Sequence, residues 1–579
     1  MKYYDKLGLD FLATLRYNLQ GDNTMRRNHL QRFFSSYGIN HFTLDKPFQL
    51  ALEYAGLESS YFNQLTELGE FVSTDLLEIS DHIDRISKPH FQMWDIDGSR
   101  MDWVQLNPAH KNLLEKLLDF GIVHAVYSEG APWQFHYAQG YLVADPGLYC
   151  TLTVTNQTAY ALFKYGSPEI KQRFLAHYLD ADSSKAWYGA TFYTETHGGS
   201  DLGANRATAK RDGGRWQLTS QDKYFASNAG IADGALVTAR PEGRPAGAKG
   251  IALFFVPAYK EDGSPNYFIR RLKDKLGTRA VPTGEVELAS SEAYLIGTVE
   301  HGIYHALEVL TLARLANSIA AVGIARKSYL EALYYCQKRQ AFGKKLIEHP
   351  LVQKDLLEME VELEANLLLA LKAIQKFNVH WNETPPYSSD YHYARLLAHL
   401  AKNMTAEMSA WVTRQAMELH GGLGFLDEFP VARWHREALI TSIWEGTSNI
   451  QALDMLEVMA KKGAHKQLFS EIEKILATVE DEFLTKAVKE RLNLITQELE
   501  DLVTLNTNES QYYAKDLLIS LGELASAAFL LDAGESIAET NGDQRFRKVA
   551  EIYIRRHLIR EKLPLNLLQN SDLIIYLDK

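Results

Sequence analysis

Two long segments with helical spacing place the strongest constraint on the fold of this chain. They cover residues 304–340 and 351–377, and in both of them apolar side chains recur at intervals of three and four. Each predicts one helix of more than twenty residues, and helices of that length usually pack into a bundle. We therefore expect a helical-bundle domain over residues 299–460, with residues 382–390 as a loop.

Residues 186–298 have a sequence pattern that is typical of strands and not of helices. Short runs of β-branched and aromatic residues alternate with turns rich in Gly, Asp and Pro, such as "RDGGR" and "KEDGSPN". Strands at this spacing predict an antiparallel barrel or sandwich. The predicted strands are "WYGATFYTE", "RWQLTSQDKYFASN", "GALVTAR", "GIALFFVPA" and "TGEVELASSEAYLIG".

Helical patterns occupy both ends of the chain. Residues 1–185 are predicted to be mostly helical; the segment starting at Asn107 has an early proline and ends at Gly121. Residues 461–579 form a predicted helical extension. The whole chain is therefore of the α+β class, in the order helices, β-domain, helical bundle and helical extension.

Composition excludes several classes of protein. Apolar residues make up 46% and charged residues 23%, as in soluble globular proteins, and the net charge of −12 does not favour non-specific binding to nucleic acid. The two cysteines, Cys150 and Cys336, form neither a disulfide framework nor a metal-ligand spacing. The N-terminal segment lacks the apolar core of a signal peptide, and no uninterrupted apolar run reaches the ~18 residues of a membrane span. We expect a cytoplasmic protein without a membrane span.

The first candidate for chemistry is Glu445, in "SIWEGTSNIQ". Ser448 and Gln451 fit a capping box, which predicts that a helix begins just after Ser448. Glu445 then lies on the turn before a helix N-terminus, where a carboxylate is electrostatically favoured. It fits either a residue that serves the helix end or a base; burial would raise its pKa, and the helix N-terminus would lower it.

Two further candidates lie in the β-region. Thr194 and Ser200 offer hydroxyls in the loop "YTETHGGSD", and its two glycines allow close approach of a ligand to the backbone. Phe225 and Ser227, two residues apart, face the same side of a predicted strand and suit a flat cofactor. A decorated hairpin turn and a sheet face packed on helices are the plain alternatives.

The last two candidates lie in the helical bundle. Arg339 leaves a long helix just before the turn at Phe342, and an arginine there can bind phosphate or simply be solvated. The "HGGLGF" segment, which includes Gly422, is a helix stop. It is no dinucleotide fingerprint, since no strand precedes it.

The order and spacing of these segments resemble the acyl-CoA dehydrogenase family over roughly residues 100–460. The matching stretches are "TETHGGSD", "KLGTRAVPTGEVEL", "RQAFGKKLIEH", "ELHGGLGF" and "IWEGTSNIQ". The long N-terminal part, "RLKDKLGTR" and the C-terminal extension look most like the alkylation-response (AidB-like) branch of that family.

This resemblance implies an N-terminal helical domain, a middle β-domain and a C-terminal four-helix domain, with FAD bound between subunits. It implies that Glu445 removes the α-proton of an acyl-CoA thioester while FAD takes the β-hydride. Ala313 occupies the position where some members carry the base. Positions matching FAD contacts are Tyr193, Thr194, Ser200, Phe225, Ser227, Arg339, Phe342, Gly422, Thr447 and Asn449; positions matching substrate contacts are Ser200, Arg314 and Trp444. Asn449 and Glu418 depart from the usual glutamines.

The resemblance thus predicts an FAD-dependent acyl-CoA dehydrogenase of fatty acid metabolism. Its expected partners are an acyl-CoA thioester, an electron acceptor such as an electron-transfer flavoprotein, and further copies of the chain in a homotetramer, a dimer of dimers. The alternative is an alkylation-response flavoprotein with weak dehydrogenase activity and a nucleic-acid-associated or regulatory role. Six basic residues keep that alternative open: Arg545, Arg547, Lys548, Arg555, Arg556 and Arg560. They fit a solvated helix face equally well, and the extension fits a role in assembly.

Overall fold

The computed structural model describes residues 30–574. A helical N-terminal part, a middle sheet and a helical C-terminal part follow one another, as predicted. The N-terminal helices are α1 (His41–Leu44), α2 (Lys46–Tyr54), α3 (Phe62–Ser73), α4 (Asp75–Arg85), α5 (Pro108–Asp119), α6 (Ala125–Ser128), α7 (Trp133–Val143), α8 (Pro146–Tyr165), α9 (Pro168–Ile170) and α10 (Ala176–Tyr178), the last two joined by a π turn.

Side-chain caps fix the starts of the helices that position the site. Asn107 accepts a hydrogen bond from the backbone N–H of His110, and Pro108 occupies the first turn of α5. Asp145 caps α8 in the same way, with Pro146 at the first helical position. The predicted end of α5 is confirmed, since Gly121 follows the helix with a φ of 77°.

One hairpin in the N-terminal part is not among the predicted elements. Strands β1 (His90–Trp94) and β2 (Arg100–Gln105) pair antiparallel, with His90 opposite Gln105. The Asp95 carboxylate accepts hydrogen bonds from the backbone N–H groups of Asp97 and Ser99 and so shapes the turn. The missed signal is this Asx turn, which lies between two short alternating runs.

The middle sheet is a closed barrel of mixed direction. Its strands are β3 (Gly189–Phe192), β4 (Thr208–Asp212), β5 (Arg215–Ser227), β6 (Gly234–Pro241), β7 (Ala252–Pro257), β8 (Phe268–Leu272) and β9 (Thr283–Ile296). β7 pairs with both β6 and β9, which closes the ring. The prediction of a purely antiparallel sheet is wrong, because β6 runs parallel to β3 and to β4. Alternating patterns locate strands but carry no information about their direction.

The C-terminal part is built on three long helices that pack on one another: α11 (Gly302–Lys338), α12 (Pro350–His380) and α13 (Ser389–Leu419). The two-residue strands β10 (Gln340–Ala341) and β11 (Lys344–Lys345) follow α11. α14 (Pro430–Leu439) and α15 (Ser448–Lys462) pack against α13. The predicted long helices are thus confirmed, and α11 also contacts α7 and α8 of the N-terminal part.

The extension is helical, as predicted, and it joins the bundle core. Its helices are α16 (Ala464–Leu476), α17 (Glu482–Thr504), α18 (Thr507–Asn541), α19 (Arg545–Ile554) and α20 (Leu565–Leu568). α18 packs against α12, α13 and α15, and its buried residues belong to the same hydrophobic core as the bundle. The domain boundary at residue 460 therefore stays a prediction.

The basic residues of the extension are paired with carboxylates. Arg545, which is almost fully buried, bridges Glu360 at 3.0 Å and also Glu364, both on α12. The other pairs are Arg547 with Glu535, Lys548 with Asp572, Arg555 with Glu551 and Glu561, Arg556 with Glu358 and Glu362, and Arg560 with Glu523. The reading of this cluster as a solvated face is wrong for Arg545, and the cluster offers no free row of cations to phosphates.

Within residues 30–574, α11 and α18 are long and apolar enough to pass a length-and-composition test for membrane spans. Most of the apolar window in each of them is buried inside the protein. Core helices of this length pass the same test.

Removing the Arg545 guanidinium should destabilise the docking of the extension. In Arg545→Met the carboxylates of Glu360 and Glu364 lose a shared buried partner, so we expect the free energy of unfolding to fall by about 3–5 kcal/mol. Urea unfolding followed by circular dichroism measures this. Arg560→Met, at an exposed residue of the same cluster, is the control and should change stability by less than about 1 kcal/mol. Equal effects of the two variants would contradict the assignment.

Candidate active site

The turn that carries Glu445 has an unusual backbone. Glu445 has a φ of 58° and Gly446 a φ of 94°, so two successive residues lie in the left-handed region. A glutamate there costs conformational energy and persists only when the surroundings hold it. Such strain at a carboxylate is typical of a functional position.

Three side chains hold this turn by its carbonyl groups. Arg314 Nε and Gln451 Nε2 donate to the carbonyl oxygen of Glu445 at 3.2 and 3.0 Å. Gln451 Nε2 also donates to the Gly446 carbonyl at 2.9 Å, and Lys402 Nζ donates to it at 2.6 Å. The acceptors of the strained turn are therefore occupied by donors from α11, α13 and α15.

The predicted capping box is wrong. Thr447 is the N-cap residue and α15 begins at Ser448, but no side chain caps the helix. The Gln451 amide turns back to the carbonyls of the preceding turn instead. The local spacing matched a capping box, but the tertiary contacts of Gln451 decide its role.

Arg314 is itself fixed from two sides. Its NH2 nitrogen bonds Asp454 at 2.8 Å and its NH1 nitrogen lies 3.3 Å from Nδ1 of His399, which also contacts Gln451. Each guanidinium nitrogen thus has a protein partner. The geometry gives Arg314 the role of positioning the turn, and its assignment as a substrate contact stays a prediction.

The Glu445 carboxyl group is partly withdrawn from solvent. Its Oε2 atom is buried and has no hydrogen-bond partner within the described chain. Burial raises the pKa of Glu445 from 4.5 to about 7, although the charges of Arg314 and Lys402 lower it. Burial also lowers the pKa of Lys402 to about 8. Burial therefore dominates at Glu445, and near neutral pH the group is poised to exchange a proton.

A cavity that is partly open to solvent lies against this carboxyl group; its empty space, with the open part included, is about 350 Å³. α8 and α11 form its walls, and Trp444 and Glu445 complete it. The lining residues are Pro146, Tyr149, Cys150, Thr153, Val154, Ala313, Ala316, Asn317, Ala320, Trp444 and Glu445. Most of them are apolar and several are small, so the cavity suits an alkyl chain. The structure places the predicted residues Glu445 and Trp444 in this one cavity.

Several predicted β-domain residues lie beside the same cavity. Ser227 Oγ is 3.9 Å from Sγ of the cavity residue Cys150. Tyr193 is buried, its hydroxyl has no partner within residues 30–574, and its pKa is raised by burial and by the charge of Glu445. The backbone N–H of Tyr224 donates to the Thr194 carbonyl and ties the predicted loop to β5.

A buried ion pair anchors that loop. Lys223 Nζ donates to Glu195 at 2.8 Å, and both side chains are inaccessible to solvent. The two predicted strand residues differ in exposure: Phe225 is 53% exposed and Ser227 is half-buried, while Ala226 between them faces the core. Phe225 and Ser227 thus lie on the side of β5 opposite to buried Ala226, in agreement with the prediction that they share one face of the strand.

A second group of predicted residues lies far from Glu445. Arg339 and Arg314 are 25 positions apart along α11 and its C-cap, which corresponds to about 40 Å. Phe342 is 97% exposed, and the space beside Gly422 is open. His420, two residues before Gly422, stacks on Tyr335 near the C-terminal end of α11. One chain therefore does not bring Arg339, Phe342 and Gly422 to its own Glu445. Thr447 and Asn449 are exposed beside the turn, and Ser200 is exposed in the β-domain loop.

Sequence reasoning missed Lys402, Asn317 and Cys150. Lys402 and Asn317 are buried polar residues inside apolar helical runs, "LLAHLAKNM" and "LARLANSIAA". A polar residue in such a run signals a specific partner, because its burial is costly without one. The sequence does not show which partner that is. Cys150 carries no comparable signal.

Glu445 should titrate near neutral pH. The infrared band of the protonated Glu445 carboxyl group is the one that is missing in Glu445→Gln. In wild type we expect this band to disappear as the pH rises from 5 to 9, with a midpoint near pH 7. Between about pH 4.5 and pH 7 the folded state keeps a proton that the unfolded chain has already released. This group therefore favours folding less as the pH rises from about 4.5 to about 7.

Infrared difference spectroscopy against Glu445→Gln measures this midpoint. Lys402→Met removes a charge that lowers the pKa of Glu445, so its midpoint should lie above that of wild type. Lys461→Met, at an exposed lysine paired with Glu457, is the control and should leave it unchanged. A wild-type midpoint near 4.5 would show that the carboxyl group is solvated.

Comparison with known proteins places this site in a family. Family models match the acyl-CoA dehydrogenase C-terminal domain over residues 300–460, the acyl-CoA dehydrogenase middle domain over 190–291, and the N-terminal domain of adaptive response protein AidB over 34–182. The putative acyl-CoA dehydrogenase AidB of Escherichia coli is 27% identical over 466 residues, which cover 78% of this chain and 83% of AidB.

Solved structures agree in fold. The apo form of Bd2924 has a TM-score of 0.77 at 28% identity and covers 86% of this chain and 98% of its own. Caenorhabditis elegans ACDH-11, solved with C11-CoA, has a TM-score of 0.82 at 24% identity and covers 91% and 93%. Other neighbours were solved with FAD or FADH2. The chain belongs to the acyl-CoA dehydrogenase family, with an AidB-type N-terminal domain.

Proposed function

We propose that this chain is an FAD-dependent acyl-CoA dehydrogenase in which Glu445 removes the α-proton of an acyl-CoA thioester. The observation that carries the proposal is a half-buried glutamate, with a buried Oε2 and a pKa raised to about 7, at the wall of a mostly apolar cavity. A proton on the carbon next to a thioester is weakly acidic, so its removal requires an aligned and desolvated base. Membership in an oxidoreductase family supports the same reaction.

The residues of this chain prepare the base in three ways. Arg314, Lys402 and Gln451 hold the backbone of the turn, so the direction of the Glu445 side chain is fixed. Burial weakens the hydration of the carboxylate and makes it a stronger base than a solvated glutamate. The apolar walls of the cavity hold the acyl chain and exclude water from the reacting carbons.

The residues around the cavity fit FAD. The unpartnered hydroxyl of buried Tyr193, the half-buried hydroxyl of Ser227 and the aromatic face of Phe225 are available to a flat polar ring beside the acyl cavity. Gly198, with a φ of 147° and open space around it, allows the loop backbone to approach a ligand. Bound FAD supplies the acceptor for the hydride that leaves the β-carbon.

The distance between the two groups of predicted FAD contacts supports an oligomer. Arg339 lies about 40 Å along α11 from Arg314, too far to complete the site of its own chain. Phe342 is almost fully exposed, as is expected of a residue that a second chain covers. We place Arg339, Phe342 and Gly422 of one subunit at the FAD of another, in a homo-oligomer.

We propose that an electron-transfer flavoprotein accepts the electrons and that this protein works in the cytoplasm. The alkylation-response role is not favoured. The resemblance to the alkylation-response branch suggests that role, and the cluster at residues 545–560 kept it open, but each of the six cations has a carboxylate partner. Phosphate contacts require cations that are free to release counterions.

The first test of this function is the cofactor. The purified protein should be yellow, with about one FAD per chain, because the family's cofactor frame is present. Arg339→Ala should lower the FAD content, and Lys345→Ala, an exposed residue of the adjacent hairpin, should not. The absorption spectrum and the released FAD measure both. A colourless protein that FAD does not reconstitute would refute the assignment.

The second test is the base. Glu445→Gln should keep the fold and FAD but slow flavin reduction by the best acyl-CoA by about 10²–10⁴-fold, since the amide does not accept the proton. Substrate binding should change less, because the carboxylate acts mainly in the transition state. Anaerobic stopped-flow absorption measures reduction. Its rate in wild type should rise with pH, reach half of its maximum near pH 7 and level off above that, as Glu445 loses its proton.

A second buried glutamate offers a matched control for the base. Burial also raises the pKa of Glu437 to about 7, but this residue accepts a hydrogen bond from the Thr278 backbone and does not line the cavity. Glu437→Gln should retain flavin reduction. If Glu445→Gln were reduced as fast as wild type, the proton would go elsewhere; if wild type were reduced by no acyl-CoA, the dehydrogenase assignment would be wrong.

A further inference from the structure

The wall that α11 contributes to the cavity contains one polar side chain. Ala313, Ala316, Asn317 and Ala320 are spaced as one face of a helix and extend along the cavity for about 10 Å. Three alanines leave room for a ligand, but an asparagine in the same row is chemically different. Asn317 is 3% exposed, so it is buried against the cavity and its neighbours.

The orientation of the Asn317 amide follows from its neighbour. Trp444 Nε1 donates to Asn317 Oδ1. An indole N–H can only donate, so the oxygen of the amide must face Trp444 and the NH2 group must face elsewhere. Nδ2 is buried and has no partner within the described chain. Two N–H donors of a residue that lines the cavity are therefore left without a partner among residues 30–574.

Unpaired buried donors are costly, which is why buried amides usually have a partner. A plain alkyl chain in the cavity leaves these donors unpaired, whereas a chain with an oxygen atom beside the Asn317 amide accepts a hydrogen bond from one of them. A site that donates a hydrogen bond to its ligand discriminates against an analogue that lacks the acceptor.

The position of Asn317 indicates which part of the acyl group it meets. Trp444, its partner, is the residue next to the base Glu445, which must face the α-carbon. Asn317 lies one helical turn, about 6 Å, beyond Ala313 along the cavity wall. The acceptor therefore belongs on the acyl chain beyond the β-carbon, where it does not interfere with the reacting bond.

We propose that Asn317 selects acyl groups that carry a hydrogen-bond acceptor, an ether, hydroxyl or carbonyl oxygen, beyond the β-carbon. This inference rests on the proposed function and deepens it, because it names the substrate class of the same cavity. Asn317 acts as a specificity-determining residue and takes no part in proton or hydride transfer. A single water held by Nδ2 is the competing occupant.

The test uses CoA thioethers, which lack the thioester and bind without turnover. We compare the octyl thioether with analogues of equal length in which one methylene beyond the third carbon is replaced by oxygen, one position at a time. Isothermal titration calorimetry on the FAD-loaded protein gives each dissociation constant. The quantity of interest is the affinity of each oxygen analogue relative to the octyl compound.

In wild type, the analogue with its oxygen at one particular position should bind with a higher relative affinity than the other oxygen analogues. Asn317→Leu should lower the relative affinity at that position by about ten-fold, the worth of one buried hydrogen bond, and leave the other positions unchanged. Asn317→Ala is the second variant, in case leucine is not accommodated. Trp444→Phe, which removes the same tryptophan–asparagine bond but keeps the donor, should retain the preference.

The outcomes separate the two proposals. Equal relative affinities at every position in wild type and in both Asn317 variants would show that the amide only holds Trp444 or a water; this overturns the inference and leaves the proposed function standing. A uniform loss of affinity for all thioethers in the variants would have the same meaning. Failure of every thioether to bind wild type would overturn both.

Discussion

The site depends on one constraint, the left-handed backbone of Glu445 and Gly446. A glutamate does not hold this conformation unaided, and the three donors that meet its carbonyls come from three different helices. The long helices α11 and α13 bring Arg314 and Lys402 to the turn, and α15 brings Gln451. The packing of the bundle therefore sets the direction of the carboxyl group, and the loop sequence alone does not.

The same arrangement explains why the carboxyl group is basic in spite of two nearby cations. Arg314 and Lys402 direct their hydrogen bonds to backbone oxygens and to Asp454 and His399. Within residues 30–574, Oε2 of Glu445 is therefore left without a partner. Their charges lower the pKa of Glu445, but burial outweighs them. A direct ion pair would have produced a weak base. The two cations thus stabilise the backbone of the turn, and the carboxylate stays available as a proton acceptor.

Much of this could be predicted from the sequence. The long periodic segments gave the helices of the bundle, the alternating runs gave most strands, and the order of the short segments pointed to Glu445. The direction of β6 and the partners of Lys402 and Asn317 could not be predicted. Each depends on which elements meet in space, and a pattern along one segment contains no record of that.

The charges of the extension could not be interpreted without their spatial partners either, but here the sequence contained a clue to some of those partners. The basic string from Arg545 to Arg560 suggested a nucleic-acid surface because its charges were counted without partners. The partners of Arg545 and Arg556 were visible in the sequence as the acidic string Glu358, Glu360, Glu362 and Glu364 in helix α12. Residues two apart on a helix fall on different faces, so Glu360 and Glu364 meet Arg545 while Glu358 and Glu362 meet Arg556.

Burying an unpaired charge is costly, so glutamates on a buried helix require cationic partners, and basic residues on a buried helix require carboxylates. Two complementary strings about 200 residues apart therefore predict a docked pair of helices. Arg326 on α11 extends the network, since it bonds Glu360 at 2.5 Å and Asp45 at 3.1 Å. Asp45, Arg326, Glu360 and Arg545 thus connect the N-terminal helices, the bundle and the extension through buried charges. The extension is therefore bound to α11, the same helix that carries Arg314 to the candidate active site.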